Sequence, residues 1–212
     1  MHPGKLSIIL LAYQSEKRLE KAVTEIDTSL SAAGIPHEIV IIDDGSTDQS
    51  FAKARELAQR MENISAYSLS RNYTSPMAQF AGLEMCTGQC ACPMPDDGQR
   101  PIAHIIDMYR LWEKGHKIIL GYREGRDDGR VNDFFSNGYY SFMNRFSEIT
   151  FPPGGSDGYL IDREIIDLLN TRISKRNTTP VIELLKLGYS TVFVPYQRPQ
   201  RAGKSRWTLR KK

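Results

Sequence analysis

The sequence lacks any segment typical of a membrane anchor or a secretion signal. A spanning helix needs an uninterrupted apolar stretch of about 18 or more residues, and none occurs here. The amino-terminal residues MHPGKLSII have neither the basic start nor the long apolar stretch of a signal peptide. We therefore expect a cytosolic chain with no membrane span inside this sequence.

Cysteine is scarce, with Cys86, Cys90 and Cys92 as the only thiols. An odd count without obvious pairing favours a reducing compartment. The three thiols are one ligand short of a structural zinc site, although His104 lies nearby in the sequence. Cys90 and Cys92 are two apart on a predicted strand and share one face, so we interpret them as small buried side chains and assign them no metal.

Strong net charge is also lacking, but the charge is unevenly placed. Net charge is +3, and residues 198–212 contain no acid and seven cations. Removing these seven from +3 leaves −4 for the rest of the chain. We predict one domain over residues 1–197 followed by a basic segment, 198–212, which is either simply solvated or binds phosphate or anionic lipid. We expect no nucleic-acid partner.

Apolar periodicity alternates between the strand and helix patterns along the first 123 residues. Short β-branched runs are followed by stretches with apolar residues at helical spacing, and the connections between them are short. This alternation predicts an α/β fold with a doubly wound, mostly parallel sheet and helices on both faces. The predicted order is strand 6–13, helix 15–34, strand 37–45, helix 48–61, strand 65–70, helix 76–86, strand 89–94, helix 102–115 and strand 117–123.

Polar side chains follow four of the predicted strands. In open sheets of this kind ligands bind beyond the carboxyl ends of the strands, where the strand order reverses. One alternative applies to DDGSTD at 43–48, where Thr47 or Asp48 would only begin the next helix. The residues at the strand ends are Tyr13 after the first strand, Asp43 and Asp44 after the second, Arg71 and Asn72 after the third, and Asp96, Asp97 and Gln99 after the fourth.

Several classes of nucleotide-binding protein are disfavoured. The segment AYQSEK after the first strand contains no glycine, unlike the G-x-G-x-x-G turn of dinucleotide-binding enzymes. GKS at 203–205 resembles the end of a P-loop, but Arg198 stands where the earlier glycine belongs. Enzymes that synthesise sugar nucleotides have a glycine-rich basic loop at the first strand end, whereas this loop is acidic and aromatic.

Four landmarks in order give the chain a resemblance to family 2 glycosyltransferases with the GT-A fold. They are AYQSE at 12–16, VIIDDGSTDQS at 40–50, LSRNYTSPMAQFAGLEMCTGQ at 69–89 and DDGQRP at 96–101. Three further segments are similar to the polyprenyl-phosphate branch of that family, which includes dolichyl-phosphate mannose synthases and bactoprenol glucosyltransferases. These are GYREGR at 121–126, SDGYLIDRE at 156–164 and RPQRAGKSRW at 198–207.

The chain departs from the pattern of that branch at three places. The usual metal motif is Asp-x-Asp-x-Gln, and alignment on Gln99 places Asp97 on the second aspartate but Pro95 on the first. Leu11 replaces the usual proline of the first strand end. Relatives of this branch often continue into transmembrane helices, whereas this sequence ends at Lys212.

The resemblance implies a donor site for a nucleotide sugar. It implies nucleotide contacts from Ala12, Tyr13, Glu16, Asp43, Asp44, Arg71 and Asp96. Tyr13 offers a flat ring, and Asp43 or Asp44 an acceptor for a base, with uracil our first choice. Asp97 and Gln99 are the expected ligands of Mg²⁺ or Mn²⁺, because alternation along the strand directs both to one side and phosphates supply the remaining oxygens.

The resemblance also implies an acceptor, for which two alternatives stay open. If it is polyprenyl phosphate, Arg123 and Arg126 clamp the phosphate with help from Arg201 and Lys204. If it is a saccharide hydroxyl, Asp157 is the expected base. With polyprenyl phosphate as acceptor, direct displacement inverts the anomeric centre, and we expect the enzyme to work peripherally at the cytoplasmic face of a membrane. A third alternative is a protein that binds sugar nucleotides without catalysis, because Pro95 replaces the first aspartate of the metal motif.

Overall fold

The computed structural model describes residues 4–123, 156 and 158–197. Within these residues the chain forms seven strands and six helices. Their bounds in chain order are β1 Leu6–Ala12, α1 Leu19–Ala32, β2 His37–Asp43, α2 Ser50–Arg60, β3 Ile64–Ser68, α3 Ser75–Met85, β4 Cys90–Pro95, α4 Ile102–Glu113, β5 Ile118–Arg123, β6 Gly158–Asp162, α5 Arg163–Thr171, α6 Pro180–Lys186 and β7 Thr191–Tyr196.

The strands form one sheet with the order β3-β2-β1-β4-β6-β5-β7. β1 lies parallel to both β2 and β4, and β5 lies parallel to β7. β6 is inserted between β4 and β5 and runs antiparallel to both. The predicted mostly parallel, doubly wound sheet is therefore confirmed, and β6 is its reversed strand.

Two apolar layers cover the sheet, one on each face, which explains the nearly continuous apolar runs of the central strands. Leu6, Ile8 and Leu10 of β1 pack into one layer with the buried sides of α1, α2 and α4. Ile9 packs into the other layer with α3, α5 and α6. β1 is thus buried on both faces and forms the centre of the molecule.

The first helix begins later than the sequence predicts. The Ser15 carbonyl accepts hydrogen bonds from the Arg18 and Leu19 N–H groups, but the α-helix starts at Leu19. Residues 16–18 form a turn before the helix, and the Ser15 hydroxyl accepts from the Tyr13 N–H, 2.9 Å away, instead of capping the helix. The predicted stop at Gly34 is confirmed, with a left-handed φ of +68° that favours glycine.

Cys90 and Cys92 are small buried side chains, as predicted, and Cys86 is buried as well. Cys90 and Cys92 point into the same apolar layer, and all three thiols are free. Burial raises the pKa of each thiol above its ordinary value, which keeps it protonated and unreactive. His104, the candidate fourth zinc ligand, stacks on Tyr196 instead, with 4.7 Å between ring centroids.

The order of the strands reverses at β1, since β2 and β4 flank it and the chain leaves for opposite sides of the sheet. The carboxyl ends of β1, β2 and β4 therefore meet at one edge, where a doubly wound sheet binds its ligand. None of the helices in the described ranges is long and apolar enough to cross a membrane.

Candidate functional site

A cleft of about 550 Å³ opens at this edge of the sheet. Ala12 and Tyr13 from the end of β1, Asp44 from the end of β2 and Asp96 from the end of β4 all line it. Asn72 and Thr74, which precede α3, close another side. Sequence-predicted residues from four separate segments are thus brought together around one cavity.

The loop after β1 is bonded to the loop after β2, which fixes the position of Tyr13. The Gln14 N–H donates to Ser46 Oγ at 2.9 Å, and the Ser15 N–H donates to Ser50 Oγ at 2.6 Å. Glu16 is exposed, and its backbone N–H reaches Asp48 Oδ2 at 3.4 Å. Between these anchors the Tyr13 ring is 42% exposed at the cleft, a suitable surface for stacking a flat ligand.

Asp43 and Asp44 are both buried but differ in what they bind. Asp43 Oδ2 accepts from the Ser46 N–H at 3.2 Å and the Ser68 hydroxyl at 2.9 Å. Its Oδ1 atom is buried and has no hydrogen-bond partner among the described residues. Asp44 accepts backbone N–H bonds on both oxygens, from Tyr73 at 2.8 Å and Thr74 at 3.0 Å. Asp43 therefore keeps an unused acceptor, whereas Asp44 organises the loop before α3.

Burial raises the pKa of Asp44, and the nearby Asp43 carboxylate acts in the same direction. The two backbone N–H bonds to Asp44 oppose this shift without cancelling it. The end of β2 therefore concentrates negative charge in a poorly solvated place.

Gly45 lets the segment after β3 approach the end of β2. Its φ is +65°, and a Cβ at this position would lie 2.3 Å from the Arg71 carbonyl carbon. Arg71 is exposed, and its guanidinium lies 4.2 Å from the centre of the Tyr73 ring. Arg71 thus stands close to the predicted nucleotide contacts, held by an aromatic neighbour rather than by a carboxylate.

Asp96 is only 7% exposed and is paired with a residue that the sequence analysis missed. Arg18 Nε donates to Asp96 Oδ2 at 2.8 Å, across 78 residues of chain. Burial raises the pKa of Asp96, while the Ser15 hydroxyl and Arg18 favour its ionised form. Local sequence carries no signal for this pair, because only the parallel pairing of β1 with β4 brings the two residues together.

Asp97 and Gln99 do not alternate along a strand as the sequence predicts, because β4 ends at Pro95. The chain turns there, with Gly98 at a φ of +66°. Asp97 is exposed and Gln99 is buried, and Asp97 Oδ1 accepts from the Gln99 N–H at 3.1 Å. The Asp97 carboxylate therefore lies beside the Gln99 backbone.

This turn fits a hard cation that also binds phosphate oxygens. Gln99 Oε1 is buried without a hydrogen-bond partner in the described part of the chain. No cluster of three or more His, Cys, Asp or Glu side chains suited to a metal exists among the described residues. One carboxylate and one amide oxygen are enough for Mg²⁺ or Mn²⁺ when a ligand supplies phosphates.

Residues 7–168 match the family described as glycosyl transferase family 2. This match covers well over half of the sequence and includes the whole cleft. The chain belongs to glycosyltransferase family 2.

Relatives within family 2 match nearly all of the chain. An uncharacterized glycosyltransferase from Synechocystis is 27% identical over 205 residues, which cover 96% of this chain and 64% of that protein. A bactoprenol glucosyl transferase from Shigella phage SfX is 29% identical over 201 residues, covering 93% of this chain and 65% of the relative. The chain therefore spans just under two thirds of the length of these relatives.

A solved structure confirms the predicted GT-A fold. Glucosyl-3-phosphoglycerate synthase from Mycobacterium tuberculosis, in complex with Mn²⁺, UDP and phosphoglyceric acid, superposes with a TM-score of 0.63. It is 16% identical, and the match covers 95% of this chain and 72% of the other.

Few of the residues predicted to bind the acceptor fall in the described part of this family 2 chain. Arg123 is half-buried at the end of β5, opposite Tyr196 of β7. The Ser156 hydroxyl bonds to the Gly121 carbonyl at 2.9 Å, which holds the entry to β6 against β5. Arg126, Asp157, Arg201 and Lys204 lie outside the described residues.

Arg100 is a second residue that the sequence analysis missed. It is 3% exposed, and its guanidinium occupies a slot formed by Gly121 and Gly158, which pair in register on β5 and β6. Nη1 donates to the Pro93 carbonyl at 2.9 Å, and Nη2 lies 3.0 Å from Met108 Sδ. A fixed positive charge is thus buried beside the Pro93 carbonyl of β4.

Proposed function

We propose that this chain is an inverting glycosyltransferase that moves a sugar from a UDP-linked donor to polyprenyl phosphate with Mg²⁺ or Mn²⁺. One observation carries the proposal: the family 2 cleft combines the exposed Tyr13 ring with buried carboxylates at the ends of β2 and β4. A ring for stacking and carboxylates for hydrogen bonding are what recognition of a nucleoside requires.

The base of the donor stacks on Tyr13, and Asp43 reads its edge. Asp43 Oδ1 is the candidate acceptor because it has no partner among the described residues. The uracil imide N–H is a donor that matches it. Asp44 keeps the loop at 71–74 in place, so that Arg71 stays near the nucleotide. Ala12 and Glu16 contribute through the loop that they flank, and Asp96 orients ribose or sugar hydroxyls.

Asp97 and Gln99 would hold the divalent cation together with the donor diphosphate. Such a cation neutralises the charge that grows on the departing diphosphate. The synthase from M. tuberculosis was solved with Mn²⁺ and UDP, which supports a metal of this kind within the same fold.

The acceptor assignment rests on relatives named as bactoprenol glucosyl transferases. A phosphate monoester is already ionised near neutral pH, so the chain needs no strong base and acts by positioning and charge. Arg123 and Arg126, joined by Arg201 and Lys204, form the proposed phosphate clamp. The reaction then takes place at the cytoplasmic face of the membrane, with the chain held peripherally.

A transfer assay with separate acceptors tests this function. The chain is incubated with radiolabelled UDP-sugars and GDP-sugars, with Mg²⁺, Mn²⁺ or chelator, and with a short polyprenyl phosphate, a saccharide or neither. Metal-dependent transfer from a UDP-sugar to the lipid, with inverted anomeric configuration, is the expected result. Transfer to the saccharide alone would favour a hydroxyl acceptor with Asp157 as base, and binding without any turnover would indicate a non-catalytic nucleotide-binding protein.

The same assay separates the two aspartates of the turn. Asp97→Asn removes charge from the cation site and is expected to lower kcat by about 100-fold, because charge compensation is strongest in the transition state. Asp96→Asn is expected to raise KM more than it lowers kcat. The opposite pattern at saturating metal would contradict the assignment of Asp97 as ligand.

A further inference from the structure

Arg18 is fixed in one position at the cleft by bonds from all three guanidinium nitrogens. Besides the bond to Asp96, Nη1 donates to the Gln14 carbonyl at 3.1 Å and Nη2 to the Tyr13 carbonyl at 3.0 Å. Nη2 also lies 2.9 Å from Ser15 Oγ. The planar guanidinium therefore joins the loop under the Tyr13 ring to the end of β4.

The position of this cation matters because the surrounding side chains are acidic. Asp44 and Asp96 line the cleft, and Arg18 is the only Lys or Arg among the described residues that do so. Arg71 lies outside the lining, over Tyr73. An anionic ligand entering this cleft would meet two poorly solvated carboxylates, and one of them is neutralised by Arg18.

The two side chains of the Arg18–Asp96 ion pair differ in their exposure to solvent. The Arg18 side chain is 32% exposed, whereas that of Asp96 is 5% exposed. A guanidinium has five N–H groups, and one on Nη1 has no acceptor among the described residues. Arg18 therefore has spare donor capacity and partial exposure beside a buried carboxylate, and it lines the cleft.

We propose that Arg18 determines the selectivity of this site for diphosphate-bearing ligands, by cancelling the charge of Asp96 and adding a fixed positive charge to the cleft wall. The inference rests on the proposed nucleotide-sugar donor. It assigns Arg18 a role in phosphate recognition that is separate from the role of the cation at Asp97 and Gln99. The contribution of Arg18 should therefore be measurable without metal as well.

Calorimetric titration of the full chain with UDP and with uridine, each in chelator and in Mg²⁺, tests this role. Arg18→Gln is expected to weaken UDP binding by about tenfold more than uridine binding in chelator, because only UDP carries the diphosphate. Arg18→Lys should retain most of the preference, since it keeps the charge. Lys17→Gln is the matched control: it removes the same charge from an exposed neighbour outside the cleft and should leave both affinities unchanged.

A further variant keeps the proposal falsifiable if Arg18→Gln folds poorly. Asp96→Asn removes the negative charge while Arg18 remains, so the ratio of UDP to uridine affinity should rise several-fold. Equal losses of UDP and uridine binding in Arg18→Gln would show that Arg18 only positions the loop, and an unchanged ratio in Asp96→Asn would also overturn the inference. If the wild-type chain binds neither UDP nor GDP even with Mg²⁺, the proposed function itself fails.

Discussion

Asp43 and Asp44 show how two neighbouring residues of the same type take different roles. Asp44 has both oxygens engaged by backbone N–H groups of the following loop. Asp43 has one oxygen held by Ser46 and Ser68 and one without a partner among the described residues. The difference comes from tertiary contacts, since the sequence alone leaves the two residues equivalent as base acceptors.

The fixed oxygen of Asp43 makes an amide substitution informative. In Asp43→Asn the amide oxygen must face the Ser46 and Ser68 donors, so the amide NH₂ group takes the place of Oδ1. The base N–H, which is a donor, then faces a second donor instead of an acceptor. We expect uridine binding to weaken by about 10- to 100-fold, measured by calorimetry. Ser68→Ala, which leaves the acceptor in place, is the control, and uridine binding by Asp43→Asn at wild-type strength would rule out this contact.

Gly158 has no side chain, which leaves room for the buried Arg100 guanidinium. A Cβ at Gly158 would lie 2.4 Å from Arg100 Nη1, and the side chain is too enclosed to move away easily. Gly158→Ala should therefore lower the free energy of unfolding by about 1–3 kcal/mol, measured by urea denaturation. In an Arg100→Met background the same substitution should cost less, and full additivity of the two changes would contradict this explanation.

Sequence reasoning located Tyr13, Asp44, Asn72 and Asp96 at the cleft, but not the pairings of these residues. Polar residues at strand ends are visible in the pattern, and the sheet topology brings them together at one edge. Arg18 and Arg100 were missed because their partners are distant in sequence. The directions of the Asp97 and Gln99 side chains were predicted wrongly because β4 ends at Pro95, before both residues, and the chain turns at Gly98.

At the scale of elements, Glu38 connects three segments at the amino ends of the strands, opposite the cleft. It is the second residue of β2 and accepts from the Ser7 hydroxyl of β1 at 2.6 Å. It also accepts from the Thr87 N–H at 2.6 Å and from Lys5 Nζ at 3.0 Å. Burial opposes ionisation of Glu38, but these hydrogen bonds outweigh it and lower its pKa to about 2.

This pKa makes Glu38 a source of acid sensitivity. Because the folded pKa lies below the unfolded value of about 4.3, the stabilisation is complete above that value and is lost as pH falls towards 2. We expect Glu38→Gln to be less stable than wild type at pH 6, with the difference shrinking by pH 3. Thermal unfolding across this range measures it, with exposed Glu62→Gln as control; a constant difference would contradict the linkage.

The helices and strands over residues 6–123 were predictable because the spacing of their buried apolar residues can be read from the local sequence. β6 and its reversed direction were not, since strand order depends on which edges remain unpaired. Its register, Cys90 opposite Asp162 and Ala91 opposite Ile161, joins segments far apart in the chain. The later start of α1 was missed as well, although the contact involved is local: the Ser15 hydroxyl accepts from the Tyr13 N–H rather than capping the helix.

At the scale of the whole molecule, the uneven charge suggests how the chain meets its acceptor. Residues 198–212 carry seven cations and no acid, while the remainder is net negative. Each Lys or Arg near anionic headgroups contributes about 1 kcal/mol to membrane binding. The segment is suited to hold the chain near a lipid substrate, a role that remains a prediction from sequence.

Vesicle co-sedimentation measures this attraction. Deleting residues 208–212 removes three cations and should lower partitioning to anionic vesicles by about two orders of magnitude at low salt. Raised salt should weaken the wild-type interaction, and uncharged phosphatidylcholine vesicles serve as control. Partitioning that is unaffected by salt, by lipid charge and by the deletion would refute a membrane role for the segment.

The insertion of β6 between β4 and β5 also has a consequence for how the chain folds. β1 to β4 follow one another in sequence and pair among themselves, so this half can assemble as soon as it is synthesised. Among the described strands, β5 pairs only with β6 and β7, and both come later in the chain. Within this set of strands the β4 edge therefore waits for β6, and this pairing joins segments far apart in sequence, which is slow to form. The nascent chain is most exposed to aggregation in that interval, before the sheet is complete.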